Sequence, residues 1–327
     1  MIGIRFSIAA IAAALMILAG SDAGRAQQAY PARTIVMVVP FPAGGPTDII
    51  ARILASALQQ SLGQSAIIDN RVGGGGNLGI AYVARANPDG HTLLFTSTAI
   101  AVNPGLFANL PYDPIKDFAP ISELVNAPNV LFVRPDSGFN TIADLVAKAK
   151  AAPNTLNYAS PGVGTKSHLT GELLKLRAGI DIQHIPYRGG GPATNALVSG
   201  TVQLASVALA PVEPLIKAGT VRALAVTGAT RWYSLPDVPT MIESGYPGFV
   251  SDTFNALFAP SGTPPEILAL LVKEVQAAMK RPDAIEAAKK FGYQIVAGTP
   301  EQMTARLRTE IAGVKELVAR AGIKPEN

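Results

Sequence analysis

The stretch TIVMVVPFPAGGPTDIIARILASALQQSLG, residues 34–63, decides the fold class. It opens with a nearly continuous β-branched run, Thr34–Val39, which is typical of a strand buried on both faces of a sheet. The loop Pro42–Gly45 ends that run, and apolar residues then recur at helical spacing up to Gly63, which predicts a helix that stops there. A buried strand followed by a helix is the repeating unit of α/β proteins with parallel strands.

The same alternation continues along the chain. Further strands are predicted at residues 66–69, 92–95, 130–133, 156–159, 182–185, 202–205 and 221–226. Helices are predicted between them at 77–86, 143–150, 167–176 and 193–198. After one more strand, 254–258, helices dominate at 264–279, 283–289 and 300–320. Strands that alternate with helices favour parallel sheets built from right-handed crossovers.

The last helices have too few strands to form a domain alone, so we expect them to return and cover the first sheet. The chain then crosses between two lobes twice, near Asn126–Asn129 and near Asp252–Asn255. The predicted first lobe comprises residues 27–127 and 253–327, and the second comprises 128–252. The predicted fold is therefore a two-lobed α/β protein with parallel-rich sheets and a ligand cleft between the lobes.

Residues 1–26 have the features of a signal peptide. The apolar stretch Ile8–Ala19 follows the base Arg5 and is shorter than the roughly 20 residues that a membrane span needs. Gly24-Arg25-Ala26 fits the small-x-small cleavage rule, so we expect a mature periplasmic chain that begins at Gln27. An uncleaved membrane anchor is the alternative. The chain has no cysteine, which excludes disulfides, thiolate chemistry and a cysteine-linked lipid.

Composition excludes several classes of function. The formal net charge is +4 and the basic residues are scattered, so nucleic acid is not an expected partner. His91, His168 and His184 share no metal-ligand spacing, and no G-x-S-x-G element is present. We therefore expect no metal, no cofactor and no catalytic residue, although His168 could point into the cleft.

Two glycine-rich loops follow strands and open helices. In the first, residues 41–48, Pro46 stands in the first helical turn, and the free N–H groups of such a turn attract an anion. An ordinary tight turn between strand and helix is the alternative there. In the second, residues 160–168, Thr165 is the expected N-cap. On opposite lobes, the two helix starts would hold one carboxylate without an arginine clamp.

A third loop, Gly73–Gly79, matches G-x-G-x-x-G and supports a second hypothesis, a dinucleotide-dependent enzyme. That hypothesis is weakened because no acidic residue ends a following strand at the distance where the ribose partner belongs. A fourth loop, Gly189–Gly191, is interpreted as a turn before a helix.

Eight ordered blocks carry a family resemblance. They are PFPAGGPTD (40–48), NRVGGGGNLG (70–79), NPDGHTLL (87–94), YDPIKDFAPI (112–121), LNYASPGVGTKSHL (156–169), HIPYRGGGPA (184–193), LPDVPTMIESGYPGF (235–249) and ALFAPSGTPPEI (256–267). Over essentially the whole mature chain, the sequence resembles the extracytoplasmic receptors of the tripartite tricarboxylate transporter family, the Bug proteins. The resemblance implies a Venus-flytrap, type II-like fold and a monomer that delivers a small organic carboxylate to the transporter's membrane subunits. Family members also serve in signalling, so a ligand-sensing receptor is the alternative.

The resemblance also implies the site. By position, the first loop offers Phe41, Ala43, Gly44, Gly45 and Thr47, and the second offers Ser160, Gly162, Val163, Gly164, Thr165 and His168. Asp48 matches an acidic position of the family, and we expect it to cap the helix and face away from an anionic ligand.

One departure from the family bears on the ligand. Members often carry an acidic or amide residue just after the strand that corresponds to residues 202–205, where this chain has Ser206-Val207-Ala208. Val207 and Ala208 would then offer no partner for a ligand ammonium group, which is costly to bury unpaired. We expect a preference for an aromatic or otherwise apolar carboxylate over aspartate or glutamate, unless Ser97, Thr98 or Asp252 supplies the polarity.

Overall fold

The computed structural model describes residues 30–325. The predicted signal peptide, residues 1–26, and the expected mature N-terminus at Gln27 lie outside the described residues. Within residues 30–325, no helix combines the length and the apolar character that crossing a bilayer requires.

The first strand and helix form as the sequence predicts. Strand β1 (Ile35–Val39) is buried except for its second residue, which is partly exposed. Helix α1 (Pro46–Leu62) follows Gly45, with Pro46 at its first position. Gly63 ends the helix in the left-handed region, at φ 70°, and its N–H donates to the carbonyl oxygen of Gln59. The predicted strand, helix and stop are confirmed.

The rest of the described chain continues the alternation. The strands are β2 (Ala66–Asn70), β3 (Thr92–Ser97), β4 (Phe118–Val133), β5 (Asn157–Ser160), β6 (Gln183–Pro186), β7 (Leu204–Ala208), β8 (Arg222–Val226), β9 (Asp252–Pro260) and β10 (Gln294–Ile295). The helices are α2 (Asn77–Ala84), α3 (Ala99–Leu106), α4 (Ile142–Ala151), α5 (Lys166–Ala178), α6 (Gly190–Val198), α7 (Glu213–Lys217), α8 (Pro265–Met279), α9 (Pro282–Lys290) and α10 (Pro300–Arg320).

The strands of the described chain join in the order β2-β1-β3-β9-β4-β7-β5-β6, and β8 and β10 add to β4. The outer strands pair in parallel, β1 with β2 and β3, and β5 with β6 and β7. The central strands β4 and β9 pair antiparallel with each other and with their other neighbours. The result is a mixed α/β architecture whose parallel units flank an antiparallel centre.

The long strand β4 joins the two halves of the molecule. It pairs with β9 as far as Pro128, opposite Asp252. From Asn129 onward it pairs with β7, and from Val130 also with β8. The partner of β4 thus changes within the stretch Asn126–Asn129, where the sequence predicts the first crossing.

Two elements that frame the cleft are not predicted from the sequence. The first half of β4 contains Pro120, which cannot donate a ladder hydrogen bond, and the register with β9 shifts between Pro120 and Ser122. Helix α3 contains Pro104 and Gly105, both of which oppose helix formation. Pairing with β9 and packing of α3 against α10 override these local signals.

Apolar side chains from both faces of the sheet are buried in hydrophobic clusters. On β1, Met37 and Val38 belong to different clusters, and on β4 Leu131 and Phe132 do likewise, because alternate residues point to opposite faces. A further cluster lies between the halves and draws on α3, α5 and α10. Its buried members, called here the interlobe cluster, are Val102, Leu169, Val314, Leu317 and Val318.

Candidate functional site

The first glycine loop is held in place by a buried carboxylate. Asp48, whose side chain is 1% exposed, accepts the N–H of Gly44 at 2.9 Å. It also accepts Arg52 Nε at 2.8 Å and Asn70 Nδ2 at 2.9 Å. Burial acts to raise the pKa of Asp48, but the hydrogen bonds from Arg52, Gly44 and Asn70 outweigh it and lower that pKa. Instead of capping the helix as expected, Asp48 fixes the loop that precedes it.

The start of α1 keeps open donors. Pro46 has no N–H, and no described residue accepts the N–H groups of Thr47 and Asp48, as is usual in a first helical turn. The Thr47 hydroxyl oxygen accepts Asn255 Nδ2 at 3.2 Å, which ties the helix start to β9. These backbone donors and the dipole of α1 make this end electropositive.

In the second glycine loop a glycine N–H also donates to a side chain four residues later, but the acceptor is a histidine. The N–H of Gly164 donates to His168 Nδ1 at 3.1 Å, and the N–H of Gly162 donates to Ser160 Oγ at 3.2 Å. The Thr165 hydroxyl oxygen accepts the N–H of His168 at 3.2 Å, which confirms the predicted N-cap. The N–H groups of Lys166 and Ser167, in the first turn of α5, have no acceptor among the described residues.

His168 lies beneath the loop within a stack of rings. Its ring centroid is 4.1 Å from that of His184, which stacks in turn on Tyr158 at 4.8 Å. His184 Nε2 lies 2.7 Å from Ser160 Oγ. Burial lowers the pKa of His168 and, with the neighbouring His168 and Lys175, lowers the pKa of His184 to about 3. Both imidazoles are therefore neutral at pH 7, which leaves His168 Nδ1 free to accept.

A cavity of about 430 Å³ lies between the two halves where these loops approach. We call it the interlobe cavity. Its wall residues are Phe41, Gly75, Ser97, Thr98, Ala99, Val102, Asn103, Leu106, Phe107, Val163, Gly164, Thr165, Lys166, Ile323 and Lys324. The wall carries two lysines and no carboxylate among the described residues, so the cavity suits an anion.

The structure brings together part of the predicted site. On the cavity wall are Phe41, Ser97, Thr98, Val163, Gly164 and Thr165. Off the wall are Ala43, Gly44, Gly45, Thr47, Ser160, Gly162, His168, Val207, Ala208 and Asp252. Of these, Ser160 and His168 support the second loop from below, through the contacts described above.

Three of the predicted residues off the wall lie on β7 and β9, the strands that flank β4. Val207 is buried in a core of the second half, whereas Ala208 is exposed at the end of β7, opposite Asn129. Asp252 is buried and lies 2.6 Å from Arg306 on α10. Arg306 also forms a salt bridge with Glu123 on β4, so Asp252 is part of a salt-bridge network within the protein.

Lys166 is paired across the two halves. Its Nζ, at the start of α5, lies 3.0 Å from Glu310 Oε2 on α10, and the two side chains are 12% and 15% exposed. The hydroxyl of Ser167, the next residue, donates to Asn129 Oδ1 at 2.7 Å, where β4 changes partner. The start of α5 is thus fixed to the first half by a salt bridge and to the strand crossing by a hydrogen bond.

The third glycine loop forms part of the same wall through tight packing. A side chain at Gly79 would come within 2.8 Å of the carbonyl oxygen of Arg71, and Gly76 has φ +96°. Asn103 Nδ2 donates to the carbonyl oxygen of Gly75 at 3.1 Å and to Asn77 Oδ1 at 2.6 Å. The glycines that match a dinucleotide motif therefore let this loop pack closely against α3 and against the residues that follow β1.

Other wall residues are missed from the sequence. They are Gly75 in the third loop, those on α3 and the adjoining Phe107, Lys166 at the start of α5, and those in the segment after α10. Helix α3 is hidden by its Pro-Gly pair, and the C-terminal segment reaches the cavity only through tertiary packing. The wall combines apolar side chains, including Phe41 and Phe107, with hydroxyl groups and lysines. Such a mixture is typical of a small-molecule pocket.

Comparison with known proteins gives consistent results. A family model described as Tripartite tricarboxylate transporter family receptor matches residues 50–323. BugT of Bordetella pertussis is 38% identical over 308 residues, which cover 94% of this chain and 94% of BugT. The solved structure of R. palustris Rpa4515 with adipate is 36% identical, with a TM-score of 0.74, and the match covers 91% of this chain and 100% of that one. MatC (Rpa3494) from Rhodopseudomonas palustris with bound malate is 33% identical, with a TM-score of 0.71 and coverage of 88% and 100%.

Proposed function

The chain belongs to the tripartite tricarboxylate transporter receptor family, and from this premise we propose that it captures a small organic carboxylate in the periplasm and passes it to the membrane subunits of such a transporter. The predicted family and the predicted two-lobed periplasmic binding fold are confirmed. The family is one of receptors and not of enzymes. Binding without catalysis is therefore our proposal for this chain.

The observation that carries the proposal is the charge of the interlobe cavity. Its wall has two lysines and, among the described residues, no carboxylate. The start of α5 adds backbone N–H groups without protein acceptors, and a helix N-terminus favours an anion. A carboxylate placed there gains charge-assisted hydrogen bonds and meets no like charge on the wall.

Capture requires that the two halves move relative to each other. We propose lobes with the bounds expected from the sequence, 27–127 with 253–327 and 128–252. The change of partner along β4 and the start of β9 at Asp252 support these bounds. Two strand crossings can act as a hinge, since hinges are a few residues that absorb backbone rotation. A ligand that bridges both wall surfaces would favour the closed state by its differential affinity.

The cavity wall also supports the expected ligand chemistry. Residues 206–208 bear less on the ligand than expected, because Val207 is buried in a core. The described wall instead offers Phe41, Phe107 and further apolar side chains, and it carries no carboxylate. Asp252, the candidate for an ammonium contact, is already bound to Arg306. An apolar or aromatic carboxylate without an amino group is therefore the proposed class.

Thermal-shift measurements on the mature protein test the function. Adipate, malate, benzoate and phthalate are screened beside aspartate, glutamate and citrate, with the neutral amides of the same acids as matched controls. A ligand that binds only the native state stabilises it by roughly 2.7 kcal/mol when the ligand concentration is about 100 times the Kd, so Tm rises. We expect the apolar acids to raise Tm more than the amino acids do, and the amides to have no effect. A rise with NAD and with no carboxylate would contradict the proposal.

Export is tested separately. The family is periplasmic, and we propose that this chain reaches that compartment by cleavage of residues 1–26. Mass spectrometry of the periplasmic protein should give a chain that begins at Gln27. A periplasmic or membrane-bound chain that retains residues 1–26 would contradict cleavage without bearing on carboxylate binding.

A further inference from the structure

The segment that follows α10 is directed by a helix-capping motif. Gly322 lies in the left-handed region at φ 66°, and the N–H of Ile323 donates to the carbonyl oxygen of Val318 at 3.0 Å. A left-handed glycine followed by this hydrogen bond is the Schellman motif, which turns the chain back at a helix end. Hydrogen bonds therefore set the direction of the chain beyond α10.

Ile323 anchors the segment to the interlobe cluster. It is partly buried and packs against that cluster, whose members come from both halves of the molecule. An apolar contact at this position frequently accompanies the Schellman motif. As a result Ile323 and the next residue, Lys324, both lie on the wall of the interlobe cavity.

The two lysines of the wall differ in how far their charges are already neutralised. Lys166 is 12% exposed and lies 3.0 Å from Glu310. Lys324 is exposed and has no ion-pair or hydrogen-bond partner among the described residues. Since no carboxylate lies on the described wall, Lys324 supplies the positive charge that remains available to a ligand.

The open donors and the open charge belong to different parts of the wall. The donors are backbone N–H groups at the start of α5, in the second half of the molecule. The charge stands on the segment after α10, on the first half. A ligand with two acidic groups can engage both, whereas a ligand with one engages either the donors or the lysine.

From this arrangement we propose that Lys324 is a ligand-positioning residue, which binds the second negative charge of a dianionic carboxylate whose first carboxylate meets the start of α5. The inference rests on the proposed function and deepens it. It assigns to the C-terminal segment a preference for a dianion over the monoanion of the same shape.

The test compares matched acids on matched variants. Affinities for phthalate and benzoate, and for adipate and hexanoate, are measured by calorimetry at about pH 8, where all carboxyl groups are ionised. The variants are Lys324→Gln, Lys324→Arg and the control Lys315→Gln. Lys315 is an exposed residue of α10 that does not lie on the cavity wall, so its removal changes net charge equally.

We expect Lys324→Gln to weaken binding of the dianions about fivefold and to change that of the monoanions by less than about twofold, as an accessible charge pair implies. Lys324→Arg should retain the dianion preference, and Lys315→Gln should leave it unchanged. Salt should reduce the difference, because it screens an exposed pair.

Three results would overturn the inference and leave the proposed function standing. The first is an unchanged ratio of dianion to monoanion affinity in Lys324→Gln, and the second is an equal loss in Lys315→Gln. The third is a wild-type protein that binds monoanions with no preference for dianions. Wild-type protein that binds none of the four acids would contradict the carboxylate function, and this inference with it.

Discussion

The two glycine loops that lead into α1 and α5 are held by the same kind of hydrogen bond but by different acceptor groups. In each, a glycine at φ 78° donates its N–H to the side chain four residues later. In the first loop the acceptor is the Asp48 carboxylate, and in the second it is the neutral His168 imidazole. The first loop is thus tied to a carboxylate whose lowered pKa keeps it ionised at neutral pH, and the second to a buried imidazole that is neutral there. We expect the first to resist changes of pH and the second to be the adaptable wall of the cavity.

The loops differ also in what surrounds the glycine. A side chain at Gly44 would meet no atom within 4 Å, whereas one at Gly164 would come within 2.9 Å of Leu106 Cδ1 on α3. The second loop therefore contacts the opposite half of the molecule at the glycine itself. Substitution should have local consequences in the first loop and consequences for the cavity in the second.

Removal of the first acceptor should give the largest effect. Asp48→Ala leaves the Gly44 N–H, Arg52 and Asn70 without their buried partner, and loss of one member of such a network is strongly destabilising. We expect the free energy of unfolding, measured in urea, to fall by about 2–3 kcal/mol, less than for a fully buried pair because Arg52 is half exposed. Asp48→Asn keeps an acceptor and should lose about half as much. Equal losses in the two variants would show that only the charge matters.

Matched leucine substitutions at the two glycines should give the next effect. Both Gly44→Leu and Gly164→Leu incur the cost of a left-handed backbone, about 1–2 kcal/mol. Gly164→Leu also collides with Leu106 across the cavity, so it should weaken carboxylate binding at least about tenfold, which is roughly 1.4 kcal/mol. Calorimetry on both folded variants measures this difference.

A second change serves as the control for the collision. Adding Leu106→Ala to Gly164→Leu removes the contacting side chain and should restore part of the affinity. If the double variant binds no better, or if Gly44→Leu binds as weakly as Gly164→Leu, the contact between the second loop and α3 is not what shapes the cavity.

The smallest effect should come from pH, and it should be confined to the second loop. Burial, then His168 and Lys175, hold the pKa of His184 at about 3, below its unfolded value of 6.5. Its contribution to stability is therefore complete above pH 6.5 and is lost as pH falls toward 3, because the unfolded chain takes up the proton first. After allowance for solvent screening, we expect a loss of about 1 kcal/mol between pH 7 and pH 5.

Urea unfolding at the two pH values, with His184→Asn as the comparison, measures that loss. The charged and titratable neighbours of the two rings are Glu172, Lys175 and Tyr158. The Asp48 network should not contribute, since the pKa of Asp48 is already lowered. An identical pH dependence in wild type and variant would assign the effect to other groups.

Local patterns predict much of the fold and part of the site. The first helix and its stop at Gly63, and the N-cap Thr165, follow from capping preferences that act within a few residues. The positions of Ser97, Thr98 and Val163–Thr165 on one wall follow from loops that leave strands at a shared edge.

The remainder depends on tertiary contacts that local patterns do not encode. Strand β7 is buried from Leu204 to Val207 and exposed at its last residue, Ala208, because packing in the second half covers the strand up to that point. Helix α3 forms despite Pro104 because α10 packs against it. Lys324 reaches the cavity because the chain turns at Gly322. The sequence shows the glycine, but it does not show where the turn directs the following residues.

The position of β9 in the sheet has a consequence for the order of folding. This strand lies between β3 and β4, yet it follows them in the chain only after all the strands β5–β8. Contacts between distant segments slow folding, because the loop-closure entropy is lost before the contacts form. Before β9 is in place, the facing edges of β3 and β4 remain unpaired, even if β5–β8 have already formed. Until residues 252–260 pair with them, those two edges can pair with another chain, so we expect an intermediate that lacks β9 to be prone to aggregation.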